Sequence, residues 1–316
     1  MKRRTFLLAA GGTAAAIYGR APLSSIERVD RALSGGDVDR PAISLWHHFG
    51  PQTPQDHARR TLEFHKAYRT DLIKVMSDFP YPKSPGAWHE LKEERNPFPN
   101  QLRALDLIRR DVGNRVYFIE TLFNSWNVAE KLSSRDEVRR LKESDPTALL
   151  HALDVITTSQ IHHAKQALAA GASGILLAVA NANNKDLSVD DYLRFSAPFD
   201  RRILEAVSHA KINILHLHVD RTHVAAVRDL PAAVVNYSLH VTGISLSEAR
   251  KQFPERVLMG GIDEVNYRTL SVPEIRSQWK AAHTASGAKF LLSPGCSVPN
   301  ETSPEDLRKL EQAVRS

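Results

Sequence analysis

The chain has 316 residues, 42% hydrophobic and 25% charged, which excludes a disordered or collagen-like protein and suits one large globular domain. Its formal charge of +6 includes Lys2, Arg3, Arg4 and Arg20, so a chain without residues 1–21 carries +2. No basic stripe with interleaved aromatics points to nucleic acid, and a single cysteine, Cys296, excludes an intramolecular disulfide.

Residues 1–21, MKRRTFLLAAGGTAAAIYGRA, have no acid, a weakly apolar middle and small residues near the end, the pattern of an export signal. Arg3-Arg4-Thr5-Phe6-Leu7 resembles the twin-arginine signature, and Arg20 suits that route. The expected location is therefore the periplasm. The apolar part, 6–18, is too short and too rich in Gly and Ala for a membrane span, and no other segment could cross a bilayer. Residues 22–40 read as a polar connecting segment with some helical tendency, and 41–316 as one domain.

In that domain short apolar runs alternate with amphipathic segments. The runs are AISLWHHF (42–49), LIKVMS (72–77), VYFIETL (116–122), GILLAV (174–179), INILHLHV (212–219), AVVNYS (233–238), RVLMGG (256–261) and KFLLSPG (289–295). Helical patterns cover 54–69, 101–112, 146–169, 189–210, 245–253, 272–285 and 304–314. Ser188, Ser245 and Ser303 are placed as N-caps, where a hydroxyl satisfies free backbone N–H groups. Such alternation predicts parallel strands joined by crossovers, and eight strands in about 270 residues predict an α/β fold, a single-domain (β/α)8 TIM barrel. Residues 80–99, with five prolines, read as an irregular excursion over one end.

Function in such a barrel concentrates at the carboxyl ends of the strands. His47, His48, Asp78, Glu120, Asn181, Asn183, His216, His218, Asp220, Asn236, Asp263 and Cys296 all fall there. In ILHLHVD (214–220), strand alternation sends Leu215, Leu217 and Val219 toward the outer helices and Ile214, His216 and His218 into the barrel. Imidazoles two residues apart on one face can share a metal ion at about 2.0–2.1 Å, with Cys296 adding a thiolate from across the mouth and a fourth position left open. The metal candidates are His216, His218 and Cys296, with zinc as the expected ion and no nucleotide cofactor. Taken singly, each histidine also fits a hydrogen-bonded core residue, and Asp78, Asn236 and Asp263 also fit loop capping. The rings of His47 and His48 point in opposite directions, so at most one enters the site.

The stretches around 41–49 and 71–78, HLHVD, LMGGID (258–263) and LSPGCSVP (292–299) with TSPED (302–306) together resemble the uroporphyrinogen decarboxylase superfamily, which includes zinc-dependent methyltransferases serving corrinoid proteins. The resemblance covers nearly all of 41–315 and implies the same barrel. It places Asp78 on the carboxylate that, in the decarboxylases, faces the pyrrole N–H groups and steadies the positive charge developing as a carboxyl group leaves. The two arginines that clamp acidic side chains in those enzymes are absent from WHHFGP (46–51), and Gly295-Cys296-Ser297 stands where they have Gly-His-Gly. The methyltransferase branch implies an H-x-C…C zinc site. His216 and Cys296 match it, while His218 replaces the middle cysteine and leaves less negative charge on the metal.

The expected function is a decarboxylase-type lyase acting on a tetrapyrrole-like or smaller carboxylated substrate, distinct from the housekeeping haem-pathway enzyme. Asp78 is the expected catalytic residue, and His47, Asn236 and Asp263 are the expected substrate-binding residues. Zinc-dependent, methyltransferase-like group transfer is the alternative, and a periplasmic metal- or tetrapyrrole-binding protein without catalysis is the non-enzyme rival. The expected partner is a small molecule, and a homodimer remains open.

Overall fold

The computed structural model describes residues 22–50, 53–218 and 223–315. The expected export signal, with Arg3 and Arg4, lies outside the described residues, as does Asp220. Eight strands, β1 (Ala42–Ile43), β2 (Leu72–Lys74), β3 (Tyr117–Phe123), β4 (Ile175–Val179), β5 (Ile214–Leu217), β6 (Val234–Tyr237), β7 (Val257–Ile262) and β8 (Phe290–Pro294), run parallel in the order β1-β8-β7-β6-β5-β4-β3-β2. Around them lie α1 (Ser25–Ser34), α2 (Pro54–Tyr68), α3 (Pro99–Val112), α4 (Ser125–Leu132), α5 (Arg135–Ser144), α6 (Pro146–Ala169), α7 (Val189–Phe195), α8 (Ala197–Ala206), α9 (Val224–Val227), α10 (Leu239–Thr242), α11 (Leu246–Gln252), α12 (Val272–Ser286) and α13 (Pro304–Arg315). This is a single (β/α)8 barrel.

The remaining seam, between β1 and β2, is closed by side chains as well as backbone. Asp71 donates its N–H to the Ile43 carbonyl at 2.7 Å and accepts the Ile43 N–H on its carboxylate at 2.9 Å, while Ser44 Oγ donates to the Leu72 carbonyl at 2.9 Å. Arg28 and Arg40 pair with the same carboxylate at 2.8 and 2.5 Å, so its buried charge is compensated.

Those arginines belong to the segment expected to be a polar connection with some helical tendency. Residues 25–34 form α1, started by a capping box between Ser24 and Glu27 and ended at Gly35 in the left-handed conformation. Val29 and Ala32 pack into the barrel's inner cluster with Ala42, Leu72, Ile214, Val234, Val257 and Leu291, so residues 22–40 are structurally part of the barrel. Burying Val29 alone contributes about 2 kcal/mol.

Alternation along each strand sorts the barrel into two layers. Leu72, Ile119, Leu176, Ile214, Val234 and Met259 fill the interior, whereas Leu177, Leu215, Leu217, Val235, Leu258 and Leu292 face the helices. The 189–210 helical pattern is divided at Ser196 into α7 and α8. Residues 80–98 form no helix or strand, and their Tyr81 and Phe98 are buried, stacked edge to face at 5.7 Å.

Candidate functional site

The inward face of β5 presents His216, and His218 follows it just past the strand end. In the ladder His216 lies opposite Ala178 on one side and Asn236 on the other. Its Nδ1–H donates to Asn236 Oδ1 at 2.6 Å, which leaves the lone pair of Nε2 facing the barrel mouth. That Nε2 is 3.3 Å from His218 Nδ1, and Cys296 Sγ is 3.1 Å from the same Nδ1. The three donor atoms all lie within 4.8 Å of one another. Cys296 crosses from β8 because Gly295 lets the chain turn hard against β6; a Cβ there would sit 2.2 Å from Ser238 Cα.

Burial alone would push the Cys296 thiol up, but the neighbouring His216 and His218 imidazoles outweigh it and hold the thiol at about 4. His218 moves the opposite way: its bond to Cys296 raises its pKa against the effect of burial. The cluster thus has a thiolate and an imidazole nitrogen flanking one shared proton. A tetrahedral zinc with ordinary bond lengths needs ligand separations of about 3.3–3.6 Å; those of His218 from His216 and Cys296 are 3.3 and 3.1 Å, the third lies within 4.8 Å, and zinc would replace that proton with bonds to all three donors. The residues therefore fit the ion, and Asn236 supplies the outer hydrogen bond that fixes a ligating imidazole's tautomer.

Strand alternation on the first strand settles which of His47 and His48 turns inward. Trp46 packs in the inner cluster, and His48 lies on the same face. Its Nδ1 is 3.1 Å from Asp78 Oδ1, and its backbone N–H donates to Asn300 at 3.2 Å. Asp78 Oδ2 is buried with no hydrogen-bond partner among the described residues. His47, expected to bind substrate, points outward, with ring centroids 4.9 Å from Phe49 and 5.1 Å from Phe64. Burial lowers its pKa, and it packs among these rings, whereas His48 lines the cavities at the rim.

Two further expectations change in the same way. Asn236 is fully buried, with Oδ1 taken by His216 and Nδ2 donating to the Met259 carbonyl at 3.0 Å; it holds the His216 ring from behind. Asp263 accepts from the Asn266 backbone at 3.0 Å and its side chain at 2.8 Å, a loop cap, while its neighbour Glu264 lines the mouth. Among the other rim candidates, Glu120 points outward to His163 at 3.0 Å and Gln101 at 2.8 Å. Asn181 belongs to a buried network with Asn124 and Ser196.

Three adjoining cavities open at this rim. One of about 580 Å³ contains His216, His218, Cys296, Glu264 and His48. One of about 400 Å³ contains Asp78, Tyr81, Phe98 and Lys131. Between them a deeper space of about 190 Å³ is shared by His48, His216, His218, Cys296 and Lys74. Lys74 and Lys131 were not among the sequence candidates. Burial brings both down to about 8. LIKVMS carried the signal for Lys74: a lone charge on the inward face of a buried strand.

The fold and rim define a (β/α)8 barrel with a candidate metal centre at the carboxyl end of its strands, where such barrels carry their chemistry. A family profile described as Uroporphyrinogen decarboxylase (URO-D) matches residues 78–316, and the chain belongs to that family. A curated relative, the uroporphyrinogen decarboxylase of Arthrobacter sp. (strain FB24), is 30% identical over 138 residues, 41% of this chain and 38% of the relative's own length. Among solved structures, a methyltransferase from Methanosarcina mazei superposes with a TM-score of 0.77 at 18% identity, over 92% of this chain and 98% of its own. A B12-independent methionine synthase from Shewanella sp. W3-18-1 gives 0.62 at 12% identity, over 86% and 91%. At these identities the two structures speak for the fold.

Proposed function

We propose that this protein is a zinc-dependent enzyme that carries out group transfer on a small substrate at the barrel mouth. The observation that carries the reading is the approach of Cys296 Sγ to within 3.1 Å of His218 Nδ1, beside His216 Nε2, which assembles three zinc-compatible donors from strands far apart in sequence. Zinc bound there would supply one open position at which a substrate thiol or hydroxyl loses its proton more readily. His48, backed by Asp78, is placed to take a proton from a substrate in the shared cavity, its Nδ1 oriented by the carboxylate and its other nitrogen without a partner among the described residues. The phenyl ring of Phe123 and the indole of Trp46 wall the deep cavity and limit water around the reacting atoms.

Decarboxylation is the second reading, favoured by Asp78 Oδ2, a buried carboxylate oxygen without a partner among the described residues, beside the 400 Å³ cavity. It could steady positive charge in a bound ring. The missing arginine clamps weigh against uroporphyrinogen itself, because neutral imidazole is a poor replacement for bidentate arginine. Metal analysis separates the readings: near-stoichiometric zinc that disappears in the His218→Ala, Cys296→Ala double variant supports the first, and protein without zinc in both forms overturns it. Asp78-dependent loss of carboxyl groups from added uroporphyrinogen would favour the second. Ligand bound but unchanged would mark a tetrapyrrole carrier.

The proposal includes export through a twin-arginine leader, which rests on residues 3–7. Replacing Arg3 and Arg4 by Lys should leave the protein in the cytoplasm; continued arrival in the periplasm would overturn that route. No described helix is long and apolar enough to cross a membrane.

A further inference from the structure

Lys74 projects from β2 into the barrel, between the inward-facing Leu72 and Met76. It is only 8% exposed. Among the described residues no carboxylate pairs with it. Its Nζ donates to Met76 Sδ at 3.1 Å and lies 5.4 Å from the centroid of the Trp46 ring. A thioether is a weak acceptor, and one aromatic face returns about 2 kcal/mol to a desolvated cation. Neither matches the several kcal/mol that burying an ammonium costs; Cys296, Asp78 and Glu120 favour its charge from a distance, but none of them is hydrogen-bonded to it among the described residues. Evolution of a stable core would place a leucine or methionine at such a position. The charge is instead held beside a cavity it shares with His48, His216, His218 and Cys296.

The cavity's size and walls restrict what could compensate that charge. At about 190 Å³ it has the volume of roughly six waters, too little for a tetrapyrrole and enough for a short organic acid or one acidic arm of a larger molecule. Around Lys74 the walls include Trp46, Met76, Leu176 and Ala178, too apolar to solvate a dianion. Burial lowers the lysine's pKa to about 8, so it stays mostly protonated at neutral pH. Lys74 also precedes the segment matched by the family profile, which begins at residue 78.

We propose that Lys74 is the substrate's anion anchor: its ammonium receives a carboxylate at the floor of the barrel and turns the remainder of a small acid toward the His216–His218–Cys296 cluster. This deepens the zinc-enzyme reading and rests on it for the identity of the reacting end, while the carboxylate subsite stands on Lys74 alone. One monocarboxylate neutralises the buried charge and supplies the acceptors it lacks. A neutral isostere cannot.

Propionate and its neutral analogue propionamide serve as probes, with binding followed by ligand-observed NMR on the purified full protein and zinc measured in the same samples. Wild type should prefer propionate. Lys74→Met, which keeps the side chain's length and removes its charge, should lower propionate affinity at least about tenfold, the scale of one charge-assisted hydrogen bond. Its zinc content should be unchanged and its melting temperature at least that of wild type. Cys296→Ser should lose zinc yet still bind propionate. Equal propionate affinity in Lys74→Met and wild type overturns the proposal, as does a folded Lys74→Met of lower melting temperature, which would make the ammonium a structural group. A zinc-free wild type that still binds propionate through Lys74 would sink the metal reading and leave this one standing. Should Lys74→Met fail to fold, carbamoylation of wild-type Lys74 by cyanate decides: slowing by propionate supports the anchor, and an unchanged rate overturns it.

Discussion

Asn236 offers the sharpest test of whether the imidazole cluster is built for a metal. Its Oδ1 accepts from His216 Nδ1 at 2.6 Å, and its Nδ2 donates to the Met259 carbonyl at 3.0 Å. Asn236→Ala removes the acceptor that keeps the His216 proton on Nδ1 and the lone pair on Nε2. The proton can then shift to Nε2, the atom that faces His218 and Cys296, and the histidine must be turned back before it can ligate. Losing an outer hydrogen bond of this kind costs about 10- to 100-fold in metal affinity, equivalent to about 1.4–2.8 kcal/mol. A separate cost of about 1–3 kcal/mol in stability follows from leaving buried polar groups unpaired. Competition titration against a chelator reads the first quantity, and urea denaturation of the metal-free proteins reads the second. Asn236→Asp keeps an acceptor for Nδ1–H and should retain more zinc than Asn236→Ala. If zinc affinity stays within about threefold of wild type in a folded Asn236→Ala protein, His216 does not act as a ligand held by its outer bond.

Other substitutions test other parts of the structure. Asp200 is fully buried, and burial pushes its pKa up to about 7 despite bonds from Tyr192, Ser196 and Asn124. The folded protein therefore keeps this proton to about pH 7, whereas the unfolded chain releases it near about 4. Stability should fall as pH rises through that window, by up to about 4 kcal/mol; in urea melts at pH 5 and 8, Asp200→Asn should flatten the fall, and an unchanged slope would place its origin elsewhere. Gly295→Ala forces a Cβ to within 2.2 Å of Ser238 Cα, so β8 must shift away from β6 and carry Cys296 with it. Zinc affinity should drop at least about tenfold and stability by about 1–3 kcal/mol, measured by the same titration and melts. His47→Leu, set among Phe49 and Phe64, should leave zinc content unchanged and alter stability by less than about 1.5 kcal/mol; loss of zinc would return His47 to the site.

The barrel was legible in sequence because its signal is repeated: eight short apolar runs, each followed by a helical pattern, leave few other architectures. The β5 histidines were legible for the same reason, since Leu215 and Leu217 mark the outward face and so mark His216 and His218 as inward. Identical logic applied to 42–49 selects His48, because Trp46 occupies the inner cluster with Ala42; strand ends fray into loops after only two paired residues in β1, which is why the period there was harder to phase. Asn236 and Asp263 show a different limit. Their positions on the chain place them at the rim, but only the partners of both ends of each side chain reveal that one holds the His216 ring and the other caps a loop. Sequence proximity could not report that Cys296 meets His218, because the approach depends on Gly295 letting β8 close against Ser238. Lys74 is the reverse case: the residue was visible as a charge within an apolar strand, yet its meaning appears only when the absence of a carboxylate partner among the described residues is set beside the cavity it faces. A buried ammonium with no counter-ion in direct contact is costly to stability even where Cys296, Asp78 and Glu120 favour it from a distance, and a site that retains one gains when an anionic ligand enters, since the same low dielectric that makes the charge costly strengthens the pair once formed.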